Sequence, residues 1–252
     1  MSGQYTAVTG SARGSGGHAE AAHRRIEAHL RELIAHGEGH GDRLPTEQEL
    51  ASQFGVSRPT VRQAFQSLVS AGLIVRHRAR GSFATPRISE DVTAIGRVSF
   101  PDRWATQGHT LSMEVLVYEL RPATAQIGKL FGVPLGADVC YLERLRWTDG
   151  QPTTWDVRYL PPRVKDMVAR EELERESLYF LLPKLGIPIS DAGFEITARA
   201  ANTAEARLLH IKPGSTVLVR DIMFSGPDAK AVIGGVSLYP AERVSYRVKL
   251  SI

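Results

Sequence analysis

Apolar residues recur with a helical period through the first third of the chain and with an alternating, strand-like period through the remainder. The change falls in an aperiodic stretch from Ala84 to about Ile95. In the helical third, Ile26, Leu30, Leu33 and Ile34 lie at i, i+4, i+7 and i+8, which predicts an amphipathic helix over His23–His36. A second helix is predicted from Thr46, whose hydroxyl and Glu49 three residues on make a capping box, with Leu50 and Phe54 as its buried stripe and Gly55 as its end. Ser57 and Pro59 open a third. Val61, Ala64, Phe65, Leu68 and Val69 face its core, so Arg58, Thr60, Arg62, Gln63 and Gln66 point outward, and Gly72 stops it. Leu73-Ile74-Val75 and Ser82-Phe83-Ala84 then read as short strands joined by Arg76-His77-Arg78-Ala79-Arg80-Gly81. The whole is a winged helix-turn-helix, with the outward face of its last helix as a reading surface.

Past the aperiodic stretch, strands are predicted over Leu111–Leu120, Val139–Trp147, Thr153–Leu160, Phe194–Ala200, Val217–Met223, Val232–Tyr239 and Tyr246–Ile252. Helices are predicted over Ala123–Phe131, Val164–Leu173, Ser177–Leu185 and Thr203–His210. Connections that allow hairpins make the second half an antiparallel-sheet α+β domain. The expected organisation is a glycine-rich disordered tail over 1–17, a DNA-binding domain over 18–86, a linker over 87–96 and the α+β domain over 97–252. Within that domain ATAQIGKLFGVPLGADVCYLER, from Ala123, and ANTAEARLLHIKPGSTVLVRDI, from Ala201, align without gaps at an offset of 78. Each is a short helix, a glycine turn and a strand. Two equivalent units related by a pseudo-twofold, with a concave surface between them for a ligand, account for the echo.

Charge separates the two halves. Through Arg87 there are 11 Arg against 7 Asp and Glu, a balance of +4, and the remaining 20 basic and 20 acidic residues cancel. No Asp or Glu occurs between Ala51 and Ser89, against Arg58, Arg62, Arg76, Arg78, Arg80 and Arg87, so this span is built for a polyanion. No apolar run reaches a membrane span and no signal-peptide core opens the chain, which points away from a membrane. A lone Cys140 fits a reducing, cytoplasmic setting. His18, His23, His29, His36 and His40 lack ligand spacing, with Gly37 and Gly39 between the last two, so neither a metal nor a cofactor is expected. No Ser/His/Asp or Cys/His constellation is legible, and an enzyme is not expected.

Candidate ligand chemistry lies on the strands. Arg144 and Arg146 are two apart and share a face, where a guanidinium pair can grip a phosphate or carboxylate; Asp156 and Arg158 do the same one strand later, across the Asp149-Gly150 turn. The same four residues also suit a solvated charge ladder across a sheet. Ser177 is placed to cap a helix whose first amides face an anion.

The stretch LPTEQELASQFGVSRPTVRQAFQSLVSAGLIVRHRARGSF, from Leu44 to Phe83, closely resembles the winged helix-turn-helix of the GntR family of bacterial transcription regulators. The resemblance implies that the last helix enters the major groove of an operator and the wing an adjacent minor groove. By matching position Arg58, Thr60 and Arg62 are groove and phosphate contacts and Arg80 and Gly81 wing contacts; Thr46, Gln48, Ser57, Gln63 and Arg78 complete the candidate DNA surface. Gln48 stands where many members have Arg, and so supplies no charge. From about Arg97 the pieces LERLRWTDGQPTTWDVRYLP, ESLYFLLPKLGI and SLYPAERVSYRVKL resemble the UTRA effector domain, which has a chorismate-lyase-like fold and follows the DNA-binding module in the HutC-like subfamily. That implies a homodimer on double-stranded, inverted-repeat DNA, most often a repressor released by a small-molecule effector that is often anionic. Ser99, before Phe100, matches a loop that closes over the ligand, and Tyr239 a cleft tyrosine. Ile233-Gly234-Gly235 replaces a Glu common in relatives, and Ala241-Glu242 a Gly-Asp, giving a less polar cleft wall suited to a bulkier effector than an amino-sugar phosphate.

Overall fold

The computed structural model describes residues 15–36, 43–78, 80–85, 87–91, 104–106 and 108–248, which divide into two compact units after residue 86. In the first unit α1 spans Ser15–His36, α2 Glu47–Phe54 and α3 Arg58–Ser70, and β1 (Ile74–His77) pairs antiparallel with β2 (Gly81–Ala84). Helix α1 begins about two turns before the predicted start and takes in Gly16 and Gly17, where a disordered tail was expected; residues 1–14 of that expected tail lie outside the described residues. Ile26 and Leu30 of α1, Leu50 of α2 and Val61, Phe65 and Leu68 of α3 form one buried cluster, while Leu33 and Val69, expected in the stripe, are each 37% exposed at its rim. Buried Glu27 pairs with Arg31 at 3.0 Å and accepts from Ser67 Oγ at 3.3 Å, tying α1 to α3 where a carboxylate without partners would be costly.

The second unit is built on a six-stranded antiparallel sheet in the order β4-β5-β6-β9-β8-β7. The strands are β4 (Leu111–Pro122), β5 (Asp138–Thr148), β6 (Gln151–Leu160), β7 (Asp191–Ala200), β8 (Thr216–Ser225) and β9 (Ala231–Pro240). Helices α4 (Ala125–Phe131) and α8 (Thr203–Leu208) precede β5 and β8; α5 (Val164–Met167), α6 (Arg170–Leu173) and α7 (Leu178–Lys184) lie between β6 and β7. The single helix predicted over Val164–Leu173 is two pieces, because Val168 is extended at φ −126° and ψ 125°.

The repeat seen in the sequence is present bond by bond. Ala123 N–H donates to Ala137 O at 2.8 Å and Ala201 N–H to Ser215 O at 2.8 Å; Gly136 N–H donates to Ala123 O at 2.9 Å and Gly214 N–H to Ala201 O at 3.0 Å. Gly136 and Gly214 turn the chain at φ +83° and +82°, a backbone that L side chains avoid. Strands β4-β5-β6 and β7-β8-β9 thus run inward from opposite edges and meet at the β6–β9 pair, where Val157 faces Val236.

Two elements depart from expectation. Residues 88–91, read as linker, form β3 (Ile88–Asp91), which pairs parallel with β10 (Val244–Arg247) in a separate two-stranded sheet. Ile88 and Val244 pack there with Trp104 and Tyr239, so a four-residue strand too short to show a period is secured by burial against distant residues. The remainder of the linker, 92–96, lies outside the described residues. The strand expected over Tyr246–Ile252 is this β10, shorter and outside the main sheet, with residues 249–252 outside the description. No helix among the described residues is long and apolar enough to cross a membrane.

Candidate functional site

The first unit presents its basic face on a rigid frame. Thr46 caps α2 through Glu49 N–H at 3.2 Å, and Glu49 returns the bond to Thr46 N–H at 2.7 Å, completing the expected capping box. These bonds hold the Glu49 carboxyl below its ordinary range. Ser57 precedes α3 as its N-cap but makes no side-chain capping bond; its hydroxyl meets Thr60 Oγ1 at 2.9 Å instead. Arg58, Gln63 and Gln48 are exposed, as are Arg78 and Arg80 of the wing, and Arg80 lies over the Phe83 ring at 5.8 Å. Gly81 starts β2 at φ +109° against the Arg43 side chain. One arrangement escaped the sequence reading: Glu47, just before the acid-free span, accepts from Arg62 at 3.2 Å and Arg76 at 3.0 Å, linking the reading helix to the wing. The pairing spans 15 and 29 residues and has no local signature.

In the second unit Arg144, Arg146, Asp156 and Arg158 share one face of β5 and β6, as alternation requires, with Arg144 directly across from Asp156. They are neither a solvated ladder nor an open grip. All four are buried, with Asp156 fully so, because the face they occupy is packed against α5, α6 and α7 rather than open to water. Asp156 is the hub: Arg146 pairs with Oδ2, Arg158 donates to Oδ1 at 2.7 Å, Ser237 Oγ donates to Oδ1 at 2.7 Å, and Arg144 stands 3.9 Å away. Burial alone would push its carboxyl up, but Arg146, Arg158, Arg144 and the Ser237 hydroxyl outweigh burial and hold it well below the usual carboxylate range. Burial, reinforced by Arg146, pulls the Arg144 guanidinium down to about 9. Arg144 also donates to the carbonyls of Leu173 at 3.0 Å and Glu176 at 3.4 Å, which sets it beside Ser177 at the start of α7. Ser177 opens that helix without a side-chain capping bond. Across the central pair, Arg158 donates to Val236 O at 2.6 Å, reaching over Gly235, whose φ is +145° and where any Cβ would overlap the Val157 carbonyl.

The cluster continues along the same row of the sheet: Asp156 faces Ser237, and Ser237 faces Arg220. Arg220 sits over the rings of Tyr239 at 5.3 Å and Tyr246 at 5.8 Å and 3.7 Å from Glu90 of β3, which also accepts from Trp104 Nε1 at 2.9 Å. Burial would lower the Arg220 guanidinium, but Tyr239, Tyr246 and Glu90 together raise it. The sequence reading found Tyr239 but missed Arg220, Glu90 and Trp104. Their contacts join residues far apart in the chain, and that is a product of topology. Within the described residues the Arg144 Nε and Tyr239 hydroxyl, both buried, have no hydrogen-bond partner. Ser99 and Phe100 lie outside the described residues.

A match to the bacterial regulatory proteins of the gntR family covers residues 22–83, and a match to the UTRA domain covers residues 106–245. The chain is a GntR-family transcription regulator. This regulator is 31% identical to the HTH-type transcriptional repressor NagR of Bacillus subtilis, over 77% of its own length and 80% of NagR. It is 30% identical to the HTH-type transcriptional regulator TreR of the same organism, over 72% of its length and 76% of TreR. The crystal structure of PhnF from Mycobacterium smegmatis superposes with a TM-score of 0.62 at 27% identity, covering 90% of the regulator and 99% of that chain. The protein is therefore a DNA-binding regulator with an effector-type second domain, and not an enzyme.

Proposed function

We propose that the regulator is a ligand-responsive repressor, acting in the cytoplasm as a homodimer on an inverted-repeat operator and released by a small anionic metabolite. The observation that carries the ligand half is Arg144, which is buried, stands 3.9 Å from Asp156 and has no hydrogen-bond partner for its Nε among the described residues. Buried charge without compensation is costly, and an anion entering from solvent would relieve it. In this reading Arg144 and Arg146 hold the anion, the Asp156–Arg158 pair fixes their orientation, and Ser177 and Tyr239 offer hydroxyls. Coupling to DNA follows the row: an anion that draws on Arg220 weakens its hold on Glu90, and Glu90 lies on β3, the first strand after the DNA-binding unit. A coupling of only ~1–3 kcal/mol shifts occupancy 5- to 150-fold.

On the DNA, Arg58, Thr60, Arg62 and Gln63 meet the major groove, with Gln48, Thr46 and Ser57 at the backbone and Arg78, Arg80 and Gly81 in the wing. Fluorescence anisotropy of the full chain on its own upstream DNA tests this reading. Arg58→Ala with Arg62→Ala is expected to weaken binding by about 1–3 kcal/mol for each side chain that no longer reaches a base, and to flatten the salt dependence. Unchanged affinity in the double variant refutes the reading surface. A metabolite screen by thermal shift tests the ligand half, since a bound effector raises the melting temperature by mass action.

A further inference from the structure

A carboxylate intrudes on the basic face of the first unit. Glu47 stands in the first turn of α2 with its side chain 17% exposed, and it accepts from Arg62 Nε of the reading helix at 3.2 Å and from Arg76 Nη2 of the wing at 3.0 Å. Among the described residues Arg58, Arg78 and Arg80 have no ion pair, so the arrangement is particular to these two. Arg76 is held a second time, its guanidinium lying 5.1 Å from the centre of the buried Phe65 ring, which draws it toward α3. Arg62 is held differently. Its Nε is taken by Glu47, while its two terminal nitrogens have no partner among the described residues, on a side chain 54% exposed.

Stability does not account for this pairing. Exposed ion pairs contribute little to folding, and both arginines are well exposed. On DNA the carboxylate is a cost, since a negative charge beside phosphates weakens binding to every sequence alike. A residue that weakens all complexes is useful where it favours one of them relative to the rest. The geometry supplies that gain: a guanidinium fixed through Nε presents its terminal nitrogens as a fork, and the fork matches O6 and N7 of guanine in the major groove. Without Glu47 the same side chain can turn to phosphates, which carry no sequence information. We propose that Glu47 is the specificity-setting residue of the DNA surface, a positioning residue that holds Arg62 toward a guanine and Arg76 away from the DNA backbone. This rests on the DNA reading proposed above and names the base which that surface selects.

Selection of duplexes from a randomised pool by the full chain, followed by fluorescence anisotropy on the selected and on random-sequence duplexes, tests the assignment. Wild type is expected to fix a guanine that Arg62→Ala no longer fixes, and Glu47→Ala is expected to relax the same position. Glu47→Ala is also expected to bind random-sequence duplex more tightly, with a log-log salt slope steeper by about 1 as Arg76 becomes free to meet a phosphate. The ratio of selected to random affinity then falls at least about tenfold. A merely structural loss would weaken both duplexes together and leave that ratio unchanged. Glu47→Gln keeps an oxygen acceptor at the same reach and is expected to show the same gain on random DNA with a smaller fall in the ratio. It decides if the helical circular dichroism of Glu47→Ala shows that this variant does not fold. An unaltered ratio in the folded variants, or a Glu47→Ala motif that keeps the guanine lost in Arg62→Ala, overturns the inference and leaves the DNA surface in place. A wild-type chain that enriches no sequence, or an Arg62→Ala motif identical to wild type, defeats the reading surface itself and the role of Glu47 with it.

Discussion

The two β-α-β-β units of the second domain share a backbone and divide the chemistry. An offset of 78 carries Arg144 onto Ile222, and because each β5 residue faces β6 as its counterpart in β8 faces β9, Asp156 corresponds to Gly235 and Trp155 to Gly234. The first unit therefore fills one face with guanidiniums around a carboxylate. The second has an aliphatic side chain and glycine at the same places. On the other face the first unit packs Leu145 and Trp155 with Ala206 and Leu209 around α8, whereas the second sets Met223 and Gly234 beside α4 and leaves a groove. The two units share backbone hydrogen bonds that do not depend on what the strands display, so one copy can carry buried charge and the other an open groove.

The largest expected effect breaks this comparison at its hub. Asp156→Ala removes the buried carboxylate with which both Arg146 and Arg158 pair, which costs about 3–5 kcal/mol. Its counterpart in the second unit, Ile222→Val, trims one methyl group and costs about 0.5–1.5 kcal/mol. Trp104, Trp147 and Trp155, the only three tryptophans, all lie in the second domain, so urea unfolding followed by intrinsic fluorescence reports on that domain without interference from the first. Equal losses at the two positions would show that the charged hub is not what distinguishes the units.

A pH titration sharpens the same contrast at intermediate size. Burial pulls the Arg144 guanidinium down to about 9, so an anion bound there loses its counter-charge as pH rises through that value. The rise in melting temperature expected from inorganic phosphate at neutral pH should shrink as pH rises past about 9. Because the unfolded chain keeps this proton to higher pH than the folded one, the Arg144 contribution to stability without ligand increases over the same window, opposite in sign to the ligand effect. Asp156 acts at the other end: held below its ordinary range, it contributes stability that is present above the unfolded carboxylate value and lost as pH falls toward its folded one. A phosphate effect independent of alkaline pH would remove Arg144 from the anion site.

Periodicity and caps made most of the architecture legible before any coordinates. Most strands and helices fall within a few residues of their predicted bounds, since each carries an alternating or helical stripe; α1, which starts eight residues early, and the split helix after β6 are exceptions. What escaped was set by tertiary pairing. The sequence placed Arg144, Arg146, Asp156 and Arg158 on one face but could not tell a buried cluster from a wet ladder, because burial depends on α5, α6 and α7 arriving from elsewhere in the chain. Glu90 and β3 were hidden for a related reason: a four-residue strand beside a proline has no period, and its partners lie more than a hundred residues away. The link from Glu47 to Arg62 and Arg76 likewise exists only once helix and wing are folded together.

The smallest effect tests how far the duplicated scaffold is equal. Thr124 caps α4 by accepting from Ile127 N–H at 3.3 Å, and position N3 there is an isoleucine that returns nothing. Asn202 caps α8 by accepting from Glu205 N–H at 2.9 Å, Glu205 returns the bond to Asn202 N–H at 3.0 Å, and Arg199 grips Glu205 at 2.7 Å. Cap removal costs about 0.5–2 kcal/mol, and the reciprocal network belongs at the upper end. Thr124→Ala is thus expected near ~0.5 kcal/mol and Asn202→Ala near ~2 kcal/mol in the same urea experiment. Asn202→Ala leaves the Glu205 amide without its acceptor while the Glu205 carboxylate keeps Arg199 and the backbone N–H of residue 202, so the loss should be partly recovered in Asn202→Asp, which restores an acceptor for that amide but sets a second negative charge beside the Glu205 carboxylate. If Thr124→Ala and Asn202→Ala cost the same, the helix caps are interchangeable parts, and the asymmetry between the units is confined to the faces of the sheet.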